Sequence, residues 1–191
     1  MMYYKICNIS DIDDKLLLNC RKQLNVEQIK YVEAKTPKNR RQSLAVRALL
    51  FKLLSEVYPA VTLSSFCNDA CGKPYFETDN VYVSITHSDD IIGCAISDKP
   101  IGIDVQVVKG ISRSHMSRIM NSEELAFING SDKRFILLWS IKEAYKKATG
   151  CSFAQLKNVS FVENNSIKVS NGILKYDIHD DFCVAVYKIE N

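Results

Sequence analysis

The sequence predicts an α+β protein built of two related halves that meet near residue 100. Three observations lead there. Apolar positions switch along the chain between a three-to-four spacing and short alternating or continuous runs, the signatures of helix and strand. The segment Thr86-His87-Ser88-Asp89-Asp90-Ile91-Ile92-Gly93-Cys94-Ala95 resembles Ile178-His179-Asp180-Asp181-Phe182-Cys183-Val184-Ala185-Val186. Each is an apolar strand, a turn holding a histidine and acids, and a second apolar strand, and each lies near the end of one half of a 191-residue chain without a linker-like stretch. That length suits one large domain or two small ones, and a site between two such halves is a natural place for a ligand.

Residues 3–9 alternate as a strand, and Asp13–Leu24 fits a helix with Leu16, Leu17 and Cys20 inward. A second short helix is expected over 26–34. Pro37 suits the first position of a long helix that runs to about Val57, because its missing N–H is unneeded there. Leu44, Ala48 and Phe51 form its apolar line, widened by Ala45, Leu49 and Leu53. Strands are expected at Leu63–Cys67, Val81–Thr86, Ile91–Ser97 and Pro100–Val108, with a turn at Gly72-Lys73-Pro74. Helices follow over 112–119, 122–129 and 132–149, the last capped by Ser131 or Asp132 and stopped by Gly150. Strand-like segments close the chain at 158–163, 166–170, 173–179 and 182–189.

The apolar fraction of 47% is that of a globular protein able to bury a core unaided. No apolar run reaches a membrane span, and the first residues do not read as a signal peptide. Seven cysteines at irregular spacing suggest reduced thiols in a cytoplasmic protein. Cys67 and Cys71 lack the second pair that a zinc site needs. A net charge of +3 permits an acidic partner or phosphorylated substrate without demanding nucleic acid. The basic residues Lys35, Lys38, Arg40, Arg41, Arg47 and Lys52 crowd one stretch.

Two carboxylates stand out. Asp104 lies in a strand whose neighbours Ile101, Ile103, Val105 and Val107 are all apolar, a costly place unless the acid pairs or binds a cation. Glu143 and Lys147 share a helix face beside the core line Leu137-Ile141-Ala144-Ala148. The plain alternatives are a salt bridge for Asp104 and an ordinary helical ion pair for Glu143 and Lys147. Oxygen donors without a cysteine or histidine pair suit Mg²⁺, which takes one or two carboxylates and then waters and phosphates. A lysine beside it suits a diphosphate, and the implied class is transfer at phosphorus. At the end of a strand, Thr86 and His87 are able to hold phosphate oxygens, the plain alternative being that His87 caps a hairpin. No P-loop or dinucleotide fingerprint occurs.

Gly72-Lys73-Pro74, Ser84-Ile85-Thr86-His87-Ser88, Gly102-Ile103-Asp104-Val105 and Trp139-Ser140-Ile141-Lys142-Glu143-Ala144-Tyr145-Lys146-Lys147 occur in that order. Together they resemble the 4′-phosphopantetheinyl transferases of the surfactin-synthetase type, over about residues 35–150. The resemblance implies two α/β halves related by pseudo-twofold symmetry, residues 1–100 on the adenine and phosphate side and 101–191 on the metal side. It implies a cytoplasmic monomer that moves the 4′-phosphopantetheine arm of coenzyme A to a serine of an apo acyl or peptidyl carrier protein. Adenosine 3′,5′-bisphosphate is released, and neither nucleic acid nor membrane takes part. Asp104, Gln106 and Glu143 would hold Mg²⁺ or Mn²⁺, and Glu143 would take the serine proton, directly or through water. Lys147 would stabilise charge on the diphosphate. Thr86 and His87 would hold phosphate oxygens, Gly72, Lys73 and Pro74 would line the adenine, and Lys35, Arg40 and Arg41 would meet the 3′-phosphate, with Arg47 structural.

One departure concerns Gln106, where many relatives carry a third acid. Glu123 and Glu124 are read as helix N-terminal acids rather than ligands. The alternative function is a non-catalytic coenzyme A or carrier-binding protein of the same fold. The region 111–130, with Ile111, Arg113, Met116, Arg118, Ile119, Met120 and Phe127, suits either a carrier-docking surface or a plain core helix pair.

Overall fold

A strand, a long helix and a hairpin whose second strand pairs with the first make up the core of each half of the chain. The computed structural model describes residues 1–69, 72–77, 80–109, 118–169 and 171–190. It divides into a unit of Met1–Asp98 and a unit of Lys99–Asn191.

In the N-terminal unit, β1 (Met2–Asn8) leads to α1 (Asp14–Gln23), α2 (Val26–Glu33) and α3 (Pro37–Val57). A small hairpin of β2 (Phe66–Asn68) and β3 (Pro74–Phe76) precedes β4 (Tyr82–Ser88) and β5 (Ile91–Ser97). The sheet order is β1-β5-β4, all antiparallel. Side chains of Asp13 and Asn25 cap α1 and α2, and Pro37 opens α3 as expected.

In the C-terminal unit, β6 (Ile101–Val107) is followed by α4 (Ser122–Ile128), α5 (Asp132–Thr149), α6 (Phe153–Leu156), a two-residue-per-strand hairpin β7 (Val162–Glu163) and β8 (Ser166–Ile167), then β9 (Gly172–Ile178) and β10 (Phe182–Ile189). Its sheet order is β6-β10-β9, again antiparallel. The echoed segments are thus the hairpins β4–β5 and β9–β10. Even the tie to the first strand repeats: Ile9, just past β1, donates to the Asp90 carbonyl at 2.8 Å, and Val108, just past β6, to that of Asp181 at 2.7 Å.

Helix α3 buries more than the expected apolar line. Ala45, Val46, Arg47, Ala48, Leu49 and Leu50 are consecutive and all buried, whereas Leu44 and Phe51 are only partly so. The reason is that the sheet covers one side and α1 and α2 the other, so almost the whole circumference meets protein. In α5 the expected line of Leu137, Ile141, Ala144 and Ala148 is buried, packed against Cys183, Ala185 and Tyr187 of β10. Ser131 caps α5, and Gly150 ends it at φ 74°, a left-handed turn that glycine adopts freely. Leu63–Cys67 is strand only from Phe66; Leu63–Ser65 forms a 3₁₀ turn. The helix expected over 112–119 lies largely outside the described residues. Among those described, no helix is long and apolar enough to cross a membrane.

Six described cysteines are free thiols, with Cys20, Cys94 and Cys183 buried. Burial pushes the Cys20 thiol up to about 12, against a smaller opposing pull from Arg47.

Candidate active site

The carboxylates in the C-terminal unit are brought close by a glycine. A Cβ on Gly102 would lie 1.9 Å from the Ala144 carbonyl oxygen and 2.8 Å from the Ala148 nitrogen. Strand β6 therefore rests directly on the backbone of α5. Side chains alternate along a strand, so Asp104 and Gln106 share the face of Gly102 that meets this helix. Gly102→Ala should cost about 3 kcal/mol, the upper end for overpacking a core, and lower the melting temperature in a thermal scan. Unchanged melting would show that β6 and α5 yield.

Asp104 is 3% exposed, and its Oδ1 accepts from Lys147 Nζ at 2.7 Å. The same ammonium donates to the Ile103 carbonyl at 2.8 Å. Gln106 Nε2 donates to Asp104 Oδ2 at 3.1 Å. On the facing helix, Glu143 is 9% exposed; its Oε2 stands 3.5 Å from Lys146 Nζ. Its Oε1 is buried and finds no hydrogen-bond partner among the described residues. Burial pushes the Glu143 carboxyl above its ordinary range, Lys146 opposes this, and the neighbouring Asp104 charge adds to it. The ion pair that Lys147 makes thus runs across two elements to Asp104, not to Glu143 one turn away on its own helix.

This donor set fits a hard divalent cation. It supplies two carboxylates and an amide, and one carboxylate oxygen is buried without a hydrogen-bond partner among the described residues. No group of three or more His, Cys, Asp or Glu gathers among the described residues, so any cation held here would take its remaining ligands from water and substrate.

Two neighbours of this cluster prove structural. Lys142 and Glu124 are both fully buried and pair at 2.9 Å. Lys142 Nζ also donates to the carbonyls of Leu156 and Val159, each at 2.8 Å. Glu124 closes a capping box with Asn121 at the start of α4 and accepts from the Phe161 N–H at 3.2 Å. Reading Glu124 as a helix N-terminal acid holds, but its burial and its lysine partner were missed.

The N-terminal unit contains a second feature, a cavity of about 150 Å³ lined by Tyr31, Lys35, Asn39, Ser43, Val46, Arg47, Asn68, Gly72, Ile85 and His87. Lys35, Gly72 and His87 were expected at a ligand site and are brought together here. The others separate. Thr86 is buried with Ser84 on the opposite face of β4, because adjacent strand residues point to opposite sides. Arg40 donates to the Glu33 carbonyl at 2.7 Å and lines a different cavity with Arg21 and Leu44. Arg41 is exposed, and neither Lys73 nor Pro74 lines the cavity. Gly72, at φ 81°, makes the tight turn from β2 to β3, where Lys73 N–H donates to Asp69 Oδ1 at 2.8 Å.

Arg47 lines this cavity and is 2% exposed. Its Nη1 donates to the Ser43 carbonyl at 2.9 Å and to Ser43 Oγ at 2.7 Å, while its buried Nε finds no partner among the described residues. Tyr31 escaped the sequence reading, and Arg47 was read there as structural; their i, i+4 spacing from Lys35 and Ser43 was the available signal.

Of the expected docking surface, Ile111, Arg113 and Met116 lie outside the described residues. Met120 is corrected: at 1% exposure it belongs to the core with Phe135 and Phe161, so it has no free face to offer. Ile119 and Phe127 pack partly against the same core, and Arg118 is exposed.

The comparisons with known proteins bear on this arrangement. Residues 100–189, just under half of the chain, match the model of the 4'-phosphopantetheinyl transferase superfamily. Among individual relatives, the chain is 29% identical over 163 residues to 4'-phosphopantetheinyl transferase gsp of Aneurinibacillus migulanus, covering 78% of this chain and 65% of the relative. It is 28% identical to 4'-phosphopantetheinyl transferase psf-1 of Bacillus pumilus, covering 74% and 66%. It is 32% identical over 91 residues to 4'-phosphopantetheinyl transferase Sfp of Bacillus subtilis, covering 44% and 41%. The chain thus spans just under two thirds of the first two relatives' length. These relatives agree with the surfactin-type resemblance carried by the motifs. A holo-(acyl-carrier-protein) synthase from Bacillus anthracis, solved in complex with CoA (3',5'-ADP), matches at a TM-score of 0.41 and 18% identity, covering 50% of this chain and 91% of that one. That likeness is too slight to carry any argument.

Proposed function

We propose that the protein transfers the 4′-phosphopantetheine arm of coenzyme A to a serine hydroxyl of an apo acyl or peptidyl carrier protein and releases adenosine 3′,5′-bisphosphate. The observation that carries this reading is the Glu143 oxygen, buried and, among the described residues, unpartnered beside the Asp104–Lys147 ion pair. The names of the relatives support it.

Asp104, Gln106 and Glu143 would hold Mg²⁺, with Mn²⁺ as a substitute. When bound, the cation would neutralise diphosphate charge and polarise the phosphoryl oxygens. Glu143 accepts the serine proton as the hydroxyl oxygen bonds to the β-phosphorus and the bond to the leaving phosphate breaks. Lys147 balances the charge on Asp104 until substrate arrives, and then offers its ammonium to the diphosphate. In the N-terminal unit, Arg47 and Lys35 bring two cationic groups to one small cavity, with Ser43, Asn39 and His87 as hydrogen-bonding groups. That chemistry suits a phosphate monoester, and we assign it to the 3′-phosphate of coenzyme A. Free thiols agree with a cytoplasmic protein, and two copies of one unit within a chain agree with a monomer.

The test is incubation with coenzyme A, Mg²⁺ and apo carriers, read by mass. A gain of one phosphopantetheine arm, abolished by chelator, is expected. Coenzyme A binding without any mass gain would instead select a non-catalytic binder, a reading favoured only by the neutral Gln106.

Gln106 also carries a prediction. Its amide donates to Asp104, where a second carboxylate would repel it, so Gln106→Glu should lower the Mg²⁺ concentration needed for half-maximal rate. Equal requirements in a metal titration would show that residue 106 stays outside the coordination.

A further inference from the structure

The 3′-phosphate assignment leaves open what keeps two cationic side chains together in so small a cavity before an anion enters. Lys35 and Arg47 both line it. Like charges that share a cavity repel, and without a restraint the half-exposed lysine would swing into water. The restraint in view is an aromatic ring. Lys35 Nζ lies 4.2 Å from the centroid of the Tyr31 ring, and the Arg47 guanidinium carbon lies 5.3 Å from the same centroid. Both distances are within the range at which the ring quadrupole attracts a cation.

Three elements converge to make this contact. Tyr31 sits on α2, Lys35 follows four residues later just beyond its end, and Arg47 projects from α3. Arg47 is held from its other side by Ser43, and it lies 5.3 Å from the Phe66 ring as well. Tyr31 also lines a neighbouring cavity of about 500 Å³ together with Asn68 and Tyr75, so its ring forms a wall shared by the two.

We propose that Tyr31 is a positioning residue for phosphate recognition: its ring holds the Lys35 ammonium and the Arg47 guanidinium together and so sets the preference for coenzyme A over 3′-dephospho-coenzyme A. This rests on the assignment of the cavity to the 3′-phosphate. Side chains already oriented lose less freedom on binding, so removing the platform weakens the phosphate contact without touching the reacting atoms.

The experiment compares wild type, Tyr31→Phe and Tyr31→Leu with coenzyme A and with 3′-dephospho-coenzyme A as substrates. Melting temperatures are measured alongside; Tyr31 is 44% exposed, so both variants should fold. Tyr31→Leu should raise KM for coenzyme A by about tenfold, leave kcat within about twofold, and leave KM for the dephospho substrate nearly unchanged. Tyr31→Phe keeps the ring and should restore the wild-type preference. A loss of the same size toward both substrates, or a Phe variant as impaired as the Leu variant, would overturn the platform while leaving the cavity assignment standing. A wild-type enzyme that does not distinguish the two substrates would overturn the cavity assignment and the platform with it.

Discussion

Glu143→Gln is expected to leave the fold intact and to slow carrier modification by about 10²–10⁴-fold, the usual contribution of a positioned general base. The structural side of this prediction follows from burial. The Glu143 carboxyl is raised above its ordinary range in the folded protein, chiefly by desolvation. A carboxyl raised in this way contributes stability that is whole below the unfolded-state value and is lost as the pH rises through the folded-state value. At neutral pH the carboxyl therefore opposes folding in the metal-free protein, and glutamine removes that opposition. The variant should melt no lower than wild type at pH 7, and the difference should close below about pH 4, where the unfolded carboxyl protonates as well. Added Mg²⁺ with coenzyme A should raise the wild-type melting temperature, since ligands stabilise the state that binds them. It should raise that of the variant much less. Equal shifts would remove Glu143 from the cation site, whatever the kinetics show.

The largest effect on stability is expected at the pair of Lys142 and Glu124. Both side chains are wholly buried and 2.9 Å apart, and burial lowers the Lys142 pKa while Glu124 holds it up. Replacing Lys142 with methionine strands the Glu124 carboxylate and the carbonyls of Leu156 and Val159 without a cation. The cost should be about 3–5 kcal/mol, which for a chain of this length lowers the melting temperature by roughly 10 °C. Joining Glu124→Gln to Lys142→Met removes the stranded charge, so the double variant should melt above Lys142→Met alone. If the two losses simply add, the charges are not coupled and the lysine acts only through its carbonyl bonds.

These two cases also mark how far the sequence was legible. Glu143 and Asp104 stood out because each was anomalous in its local pattern, an acid beside a core line and an acid inside an apolar strand. Glu124 and Lys142 looked ordinary, since each is a common residue at a common helical position. Only the packing of α4 and the 156–161 segment onto α5 makes them buried. The duplicated hairpins were readable because turn residues and apolar runs recur in order. The breadth of burial on α3 was not, because periodicity marks one face and cannot report that α1 and α2 cover the other. The cavity in the N-terminal unit draws on α2, α3, the β2–β3 turn and β4. A cluster of basic residues in sequence therefore groups Lys35 with Arg40 and Arg41, whereas in the fold Lys35 shares its cavity with Arg47 and Arg40 lines another. Thr86 and His87 were grouped as a dipeptide, whereas the pleat of β4 parts them.

The placement of the cysteines has a practical consequence. Cys20 and Cys94 are sealed in the first unit and Cys183 in the second. Each unit thereby contains its own protected sulfhydryl, silent toward alkylating reagents until that unit opens. Peptide mapping after timed alkylation in denaturant can follow the two openings separately in the unaltered chain, without engineered probes.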